Sequence, residues 1–253
     1  MILFKKISAL ALLAAGCLMF SQSASAQTGE GGKNLVKWNA LGLVTNNLSF
    51  QYERAVGKKI SVALSLALMP KSGLPLEGTF KNIIDDDEFD KQVAGLKTGS
   101  FSLTPEVRFY VGKGSFRGFY LAPYIRYVKN TYELPFQYDS ADPNDGSTVE
   151  KSIFLDGSTK TFTGGLMFGS QHKLGGNFYI NWWLGAGAGS LSGKVNGTAN
   201  LNAEEQQELK QELDDFENDL IKLESQVNGN GAKVDITGTG ISARLGLAIG
   251  FRF

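Results

Sequence analysis

The stretch Ile241–Phe253 has the most informative pattern in this chain, because apolar and polar residues alternate along its whole length. Every odd position is apolar, and every even position is small or polar, including Arg244 and Arg252. Successive side chains of a strand point to opposite faces, so this period of two predicts a strand with one uncharged face. Strands of barrels that cross lipid have such a face. We therefore expect this stretch to close a transmembrane β-barrel.

The N-terminus predicts a secreted protein. Two lysines precede the apolar run Ile7–Phe20, and Ala24–Ala26 is a small-x-small cleavage site. A basic region, an apolar region and a small-residue site in this order define a secretory signal peptide. We expect removal of residues 1–26, which leaves residues 27–253 as the outer-membrane barrel domain.

Bulk composition excludes several other classes. Cys17 is the one cysteine, and its position permits an alternative interpretation of the N-terminus as a lipoprotein signal. If the signal peptide is removed after Ala26, the mature chain has no cysteine and is expected to lack disulfides. The 25 basic and 25 acidic residues cancel, so no overall basic field favours nucleic acid as a partner. After the signal, no apolar run reaches the roughly 18 residues of a membrane-spanning helix.

Eight segments after the signal peptide read as strands with the same period of two. They are Leu35–Val44, Leu48–Val56, Lys59–Met69, Gly99–Val111, Gly118–Thr131, Lys160–Gln171, Asn177–Ser190 and Thr237–Phe253. The connections alternate between short turns and long loops, as in outer-membrane barrels with short periplasmic turns. The long loops are expected at Pro70–Thr98, Tyr132–Thr159 and Leu191–Ile236.

The polar faces of these strands are rich in Gly, Ala and Ser, which suits a narrow lumen better than a soluble surface. Their charged exceptions are Glu53, Glu106, Arg108, Arg126 and Arg244. Charges inside a barrel must pair, because an unpaired one is costly. We expect a structural charge network that fills the lumen, and a narrow gated ion path is the alternative.

His172 is the only histidine, and it lies in a predicted short turn. Some eight-stranded outer-membrane barrels are lipid-modifying enzymes whose His and Ser face the outer leaflet, whereas His172 is expected at the opposite end. The chain has no Cys–His cluster, no phosphate-binding glycine loop and no G-x-S-x-G motif. We therefore predict no enzyme activity, no catalytic residue, no metal site and no cofactor.

Residues 203–227 predict an acidic helix within the last long loop, with Asn202 as its N-cap. Its apolar residues are spaced 4-3-4-3-4, which is typical of a coiled-coil stripe. They are Leu209, Leu213, Phe216, Leu220, Leu223 and Val227. A lone helix must bury such a stripe. It is expected to lie over the barrel mouth or neighbouring loops, to pair with a partner protein, or to rest on the membrane interface.

Three motifs resemble those of a known group. They are Lys37–Leu43 followed by Leu48–Arg54, and the terminal Gly250–Phe253. Together they resemble small outer-membrane β-barrel proteins of Bacteroidota, in the OmpA/OmpX-like eight-stranded group, a family of unknown function. The resemblance implies the outer membrane as location and insertion by the barrel-assembly machinery, with Phe251 and Phe253 as the assembly signal. It does not extend to the predicted helix.

These features predict an all-β fold: an eight-stranded antiparallel up-and-down transmembrane barrel with an α-helix in its last extracellular loop. The leading function hypothesis is a non-enzymatic outer-membrane protein whose loops have a structural or adhesive role. A narrow channel for small solutes or ions is the alternative, and a lipid-modifying enzyme lacks a suitable His. The expected partners are the outer-membrane lipid bilayer, the assembly machinery and a possible protein at the loop helix.

Overall fold

The computed structural model describes residues 32–73, 95–112, 114–141, 148–215, 218 and 220–253. The predicted signal peptide lies outside these residues. Phe216 of the predicted helix stripe also lies outside them.

The described chain forms one antiparallel sheet of nine strands that closes on itself. Its strands are β1 Asn34–Asn39, β2 Leu48–Ala55, β3 Ile60–Gly73, β4 Lys97–Tyr110, β5 Gly118–Ala141, β6 Thr148–Gly175, β7 Phe178–Thr198, β8 Ile221–Asn228 and β9 Gly231–Arg252. A 3-10 helix, Ala40–Thr45, follows β1, and helix α1, Ala203–Asp215, precedes β8. Eight strands make the ring in the order β1 to β7 and then β9, while β8 is added to one edge of β9.

Strand β9 closes the ring because it pairs with β7 on one edge and with β1 on the other. Beyond the paired strands, the amide of Phe253 donates to the carbonyl of Asn34 at 2.9 Å, and Asn34 donates back at 3.1 Å. The turns β2–β3, β4–β5 and β6–β7 lie at this end of the ring, which we call the turn end. The opposite end is the loop end.

The outside of the barrel is apolar and the inside is polar, the reverse of a soluble barrel. Strand β3 shows the rule, because Ile60, Val62, Leu64, Leu66 and Leu68 are 38–46% exposed. Their neighbours Ser61, Ala63, Ser65 and Ala67 point inward and are buried. Outward apolar residues recur on the other strands of the ring and form a belt around it, the apolar belt.

Most strands are longer than the sequence predicted. Strands β5 and β6 stay paired from Gly118 and Gln171 to Ala141 and Thr148, so the predicted loop Tyr132–Thr159 is wrong for residues 132–141 and 148–159. Strand β7 likewise continues to Thr198. The period of two continues in β5 but changes phase: odd positions are apolar from Phe119 to Tyr127, whereas even positions are apolar or aromatic from Tyr132 to Tyr138. The predicted strand ended where the phase changes.

Helix α1 ends at Asp215, and the predicted helix 203–227 is wrong at Asn218 and from Leu220 onward. Leu209 and Leu213 lie in α1, Leu220 lies in a turn, and Leu223 and Val227 lie in β8. The side-chain Oδ1 of Asn218 accepts hydrogen bonds from the amides of Leu220 and Ile221 and so forms the turn into β8.

Strand pairing explains this error. Residues 221–227 alternate Ile, Lys, Leu, Glu, Ser, Gln and Val, so they fit a strand as well as a helical stripe. The edge of β9 offers eight pairing positions to β8, and this tertiary pairing overrides the local preference. The start of the helix agrees with the sequence, because Asn202 accepts from the amides of Glu204 and Glu205.

The first predicted strand, Leu35–Val44, is wrong in its second half. Strand β1 ends at Asn39, and the 3-10 helix turns the chain back towards β2. Asn46 ends this helix in a left-handed conformation with φ of 51°, and the amide of Asn47 donates to the carbonyl of Gly42. The apolar residues of Leu41–Val44 therefore do not continue the strand alternation.

Space inside the ring gives the first testable prediction. A Cβ at Gly246 would overlap the indole ring of Trp183, whereas a Cβ at Gly164 would meet nothing within 4 Å. Gly246→Ala should therefore lower the free energy of unfolding by about 1–3 kcal/mol through overpacking. Gly164→Ala is the matched control. Thermal unfolding in detergent micelles, followed by circular dichroism, measures both, and equal midpoints would contradict the packing argument.

Candidate functional site

The turn end of the barrel is closed by apolar side chains. Phe116 lies in the β4–β5 turn with φ of 68°, and its ring packs with Leu35 and Tyr179; all three are at most 2% exposed. The guanidinium of Arg252 lies over the Phe116 ring at 5.2 Å and donates to the Tyr179 hydroxyl. This cluster, which we call the turn-end plug, occupies the lumen at this end with buried side chains.

A charge network lies directly above the turn-end plug, and Glu53 is at its centre. The Glu53 carboxylate accepts from Lys37 and Ser61, from Arg108 Nη1 at 3.0 Å and from the Tyr110 hydroxyl at 2.6 Å. All of these side chains are buried. A buried carboxylate with this many donors is compensated rather than left as an isolated charge.

A second carboxylate, Glu106, extends the network towards the loop end. It accepts from Arg108 Nε at 2.6 Å, from Arg244 Nη1 at 2.9 Å and from Gln51 Nε2 at 3.1 Å. Gln171 Oε1 accepts from Lys37 at 2.8 Å and so connects β6 to the network. The structure thus brings together four of the five predicted lumen charges, Glu53, Glu106, Arg108 and Arg244.

Sequence reasoning missed Lys37 and Gln171. Lys37 was missed because Trp38 and Leu41 fall on opposite faces of an ideal strand, so β1 had no clear inward face. The structure ends β1 before Leu41, and the alternation Leu35, Lys37, Asn39 then defines the inward side. Gln171 carried no signal, since a neutral amide at a strand end is ordinary.

Arg126, the fifth predicted lumen charge, stands apart from the network. Its Nη1 donates to the Thr104 hydroxyl at 3.4 Å, and the described residues include no carboxylate paired with it. It faces a cavity of about 290 Å³. Arg244, Trp183, Gln51 and Leu41 also line this cavity.

Aromatic rings support the cations from the glycine-rich side of the barrel. Arg108 lies over the Tyr120 ring at 4.4 Å, and Arg244 lies over the Tyr124 ring at 4.9 Å. The tyrosine rings are themselves buried. Stacking on a ring face stabilises a guanidinium that has left water. The rings therefore hold these two cations in place on the side away from Glu53 and Glu106.

One Ser–His pair lies on the outer wall near the turn end. His172 is in β6 rather than in a turn, and its Nε2 lies 2.7 Å from the Ser170 hydroxyl. Ser170 is 0% exposed, because it pairs with Phe119 on one side and Trp182 on the other. A serine nucleophile must reach its substrate. In this geometry the Ser170 hydroxyl is buried and its observed contact is the hydrogen bond with His172.

The remaining predicted residues lie outside the lumen. Phe251 packs edge-on against Phe178 at 5.4 Å on the outer face, and Phe253 is exposed beside β1. In the helix stripe, Leu209 and Leu213 are half-buried in α1, and Leu223 and Val227 are half-buried in β8. The stripe is therefore not one continuous surface for a partner helix.

The part of the chain that the structure describes contains neither a metal-binding cluster nor a membrane-spanning helix. No three His, Cys, Asp or Glu side chains in it are placed to hold a metal ion. The helices within the described ranges are too short or too polar to cross a membrane.

The chain is similar in structure to several solved barrels. CarO from Acinetobacter baumannii has 12% identity and a TM-score of 0.43, covering 88% of this chain and 98% of that one. A major outer membrane protein from Thermus thermophilus has 13% identity and a TM-score of 0.39, covering 89% and 100%. The outer membrane protein AlkL, solved in lipid bilayers, has 12% identity and a TM-score of 0.37, covering 93% and 97%. No family model and no curated protein matches the chain.

Removal of Arg108 should destabilise the barrel strongly. Arg108→Met leaves Glu53 and Glu106 each without one buried cationic donor, which costs about 3–5 kcal/mol for a buried pair. Lys194→Met is the matched control, because its ion pair with Asp235 is exposed and exposed pairs contribute about 0–1 kcal/mol. Urea unfolding in micelles measures both variants. A shift no larger for Arg108→Met than for Lys194→Met would rule out the network as a stabilising element.

Proposed function

We propose that this chain is a non-enzymatic integral outer-membrane barrel that presents long hairpins on the cell surface. The apolar belt carries this proposal. Exposed apolar patches on soluble monomers rarely exceed a few hundred Å², whereas here outward Leu, Ile, Val and Phe residues surround the ring. From Ile60 to Leu68 the belt rises about 20 Å along the barrel axis for a strand tilted by roughly 40°, which approaches the apolar height of outer-membrane barrels.

The orientation follows from the expected signal peptide and the unequal ends of the barrel. Outer-membrane barrels keep short turns in the periplasm and longer segments outside the cell. The turn end therefore faces the periplasm. The paired ends of β5 and β6, the end of β7, helix α1 and β8 lie at the loop end and form the surface outside the cell. Phe251 and Phe253 lie at the periplasmic end of β9, where the assembly machinery would read them.

A closed lumen favours an interaction or structural role over conduction. The turn-end plug and the charge network occupy the lumen one after the other along the axis. A steady ion path would have to displace buried side chains that hold two carboxylates. The loop-end surface is mixed: Lys194 and Asp235 pair across neighbouring strands, and Lys71 pairs with Glu133. Such a polar surface is suited to contacts with other surface proteins.

Thiol labelling tests the orientation. On a Cys17→Ala background, Asn196→Cys places one thiol on β7 at the loop end, and Lys58→Cys places one in the β2–β3 turn; both positions are exposed. A membrane-impermeant maleimide should label Asn196→Cys on intact cells, and should label Lys58→Cys only after lysis. Labelling of Lys58→Cys on intact cells would contradict the proposed orientation and indicate the opposite one. Recovery of both variants in the soluble fraction would refute the membrane proposal.

Planar-bilayer recording tests the closed lumen. The purified barrel should show no steady open conductance, because the plug and the charge network block the path through the lumen. An open porin reconstituted in the same lipid is the positive control. Long-lived conductance steps from the unaltered protein would overturn the closed-lumen reading and favour a narrow channel.

A further inference from the structure

The lumen has an excess of positive charge. Among the described residues of the lumen between the turn-end plug and the loop end, four cations, Lys37, Arg108, Arg126 and Arg244, face two carboxylates, Glu53 and Glu106. The two carboxylates are already bound by Lys37, Arg108 and Arg244. A cation kept out of bulk water without an anionic partner is costly. The lumen is therefore electrostatically complementary to one or two added negative charges.

Part of this excess positive charge lies at the cavity, where a ligand can reach it. Arg126 and Arg244 both line it, and Arg126 is only partly buried. Gln51, Ser65 and Ser102 add polar groups on the same surface, and the charge network closes the cavity on the turn-end side. Guanidinium groups present forked donors that fit the two oxygens of a carboxylate.

The cavity wall has a second, apolar part beside a gap in the barrel. Leu41 of the 3-10 helix, Phe50 of β2, and Ala243 and Leu245 of β9 line that side. Strand β1 pairs with β9 only up to Asn39 and Ala248, and β8 pairs with β9 only from Gly231 to Gly238. Between these two partners, one edge of β9 has no strand beside it among the described residues.

The hydrogen bonds on this edge locate the gap. The amide of Thr239 donates to Leu220, and the amide of Leu247 donates to the Asn39 side chain. Backbone groups alternate between the two edges of a strand, so those of Ile241, Ala243 and Leu245 face the gap. The exposure of the side chains is consistent with a gap at this position. Ile241 and Leu245 are 71% and 57% exposed, more than the outward residues of β3.

We propose that the cavity binds an amphiphilic carboxylate, with its anionic group on Arg126 and Arg244 and its aliphatic chain directed through the wall gap past Leu41 and Leu245. The cations select the head group and the apolar rim selects the tail. Only the placement of the tail in lipid rests on the proposed membrane location. Head-group binding depends on the folded lumen alone and can be measured in micelles.

Trp183 provides a reporter for this site. It lines the cavity and is buried, whereas Trp38 and Trp182, the other tryptophans, are on the outward faces of their strands. A Trp38→Phe, Trp182→Phe variant therefore reports the cavity alone. Sodium decanoate is the probe, while sodium acetate tests the anion without the tail and decanol tests the tail without the anion.

The expected result is a saturable change in Trp183 fluorescence with decanoate, and weak or no change with acetate or decanol. Arg126→Gln should weaken decanoate binding about tenfold or more, as for loss of a charged hydrogen bond. Lys160→Gln, an exposed lysine on β6, removes the same charge outside the lumen and should leave binding unchanged. Micelle partitioning of decanoate is the same in both variants.

Several outcomes overturn the proposal. Equal decanoate affinity in Arg126→Gln and the parent would exclude the head-group site. Equal binding of decanol would exclude charge selection, and equal binding of acetate would reduce the cavity to a simple anion site without a tail. If the tryptophan variants do not fold, titration calorimetry of the unaltered protein and Arg126→Gln makes the same comparison. Because the test uses folded protein in micelles, a failed surface-labelling experiment would not by itself decide it.

Discussion

The closure between β1 and β9 is the constraint on which the rest of the barrel depends. A free sheet edge leaves a row of backbone N–H and C=O groups without partners, and a sheet loses its free edges only where its last strand meets its first. Here β1 has six residues, and it covers only the turn-end part of the 22-residue β9. The chain leaves the wall at the 3-10 helix, where Gly42 lies so close to the Asn47 carbonyl that a Cβ would not fit. Strand β8 then covers the far end of β9, and the gap between them opens beside the cavity.

The narrow interior of the ring explains why its charged residues and its lumen-facing glycines lie on different strands. Carboxylates and their lysine and arginine partners come mostly from β1, β2 and β4, while β6, β7 and β9 contribute glycines that face the lumen. A Cβ at Gly165 or Gly169 would overlap Tyr124 or Tyr120. These tyrosines lie beneath the guanidinium groups of Arg244 and Arg108. The glycine side therefore makes room for the rings, and the rings hold the cations against the carboxylate side.

The sequence could predict those parts of the fold in which the apolar outside and the polar lumen of the ring require opposite chemistry on the two faces of a strand. Ile60–Leu68 and Ile241–Phe253 are such segments, and their alternation predicted both their strands and the inward position of Arg244. In β5 the apolar positions change from odd to even after Tyr127, so the alternation continues beyond the predicted end at Thr131 with the opposite phase and was not recognised as the same strand. Residues 221–227 satisfy both the helical and the strand period, and only the free edge of β9 decides between them. The inward position of Lys37 could not be predicted either. The 3-10 helix after Asn39 interrupts the alternation that would have placed this side chain in the lumen.

The same geometry separates binding from conduction. A solute that moved from the cavity towards the turn end would have to pass Arg108, which holds both Glu53 and Glu106, and breaking a buried ion pair costs about 3–5 kcal/mol. It would then meet the plug of Phe116, Leu35 and Tyr179. Movement through the gap beside Ile241–Leu245 breaks no ion pair and displaces no strand, because no described strand pairs there. For an occupant of the cavity, passage sideways through the gap in the barrel wall therefore costs less than passage along the axis towards the turn end.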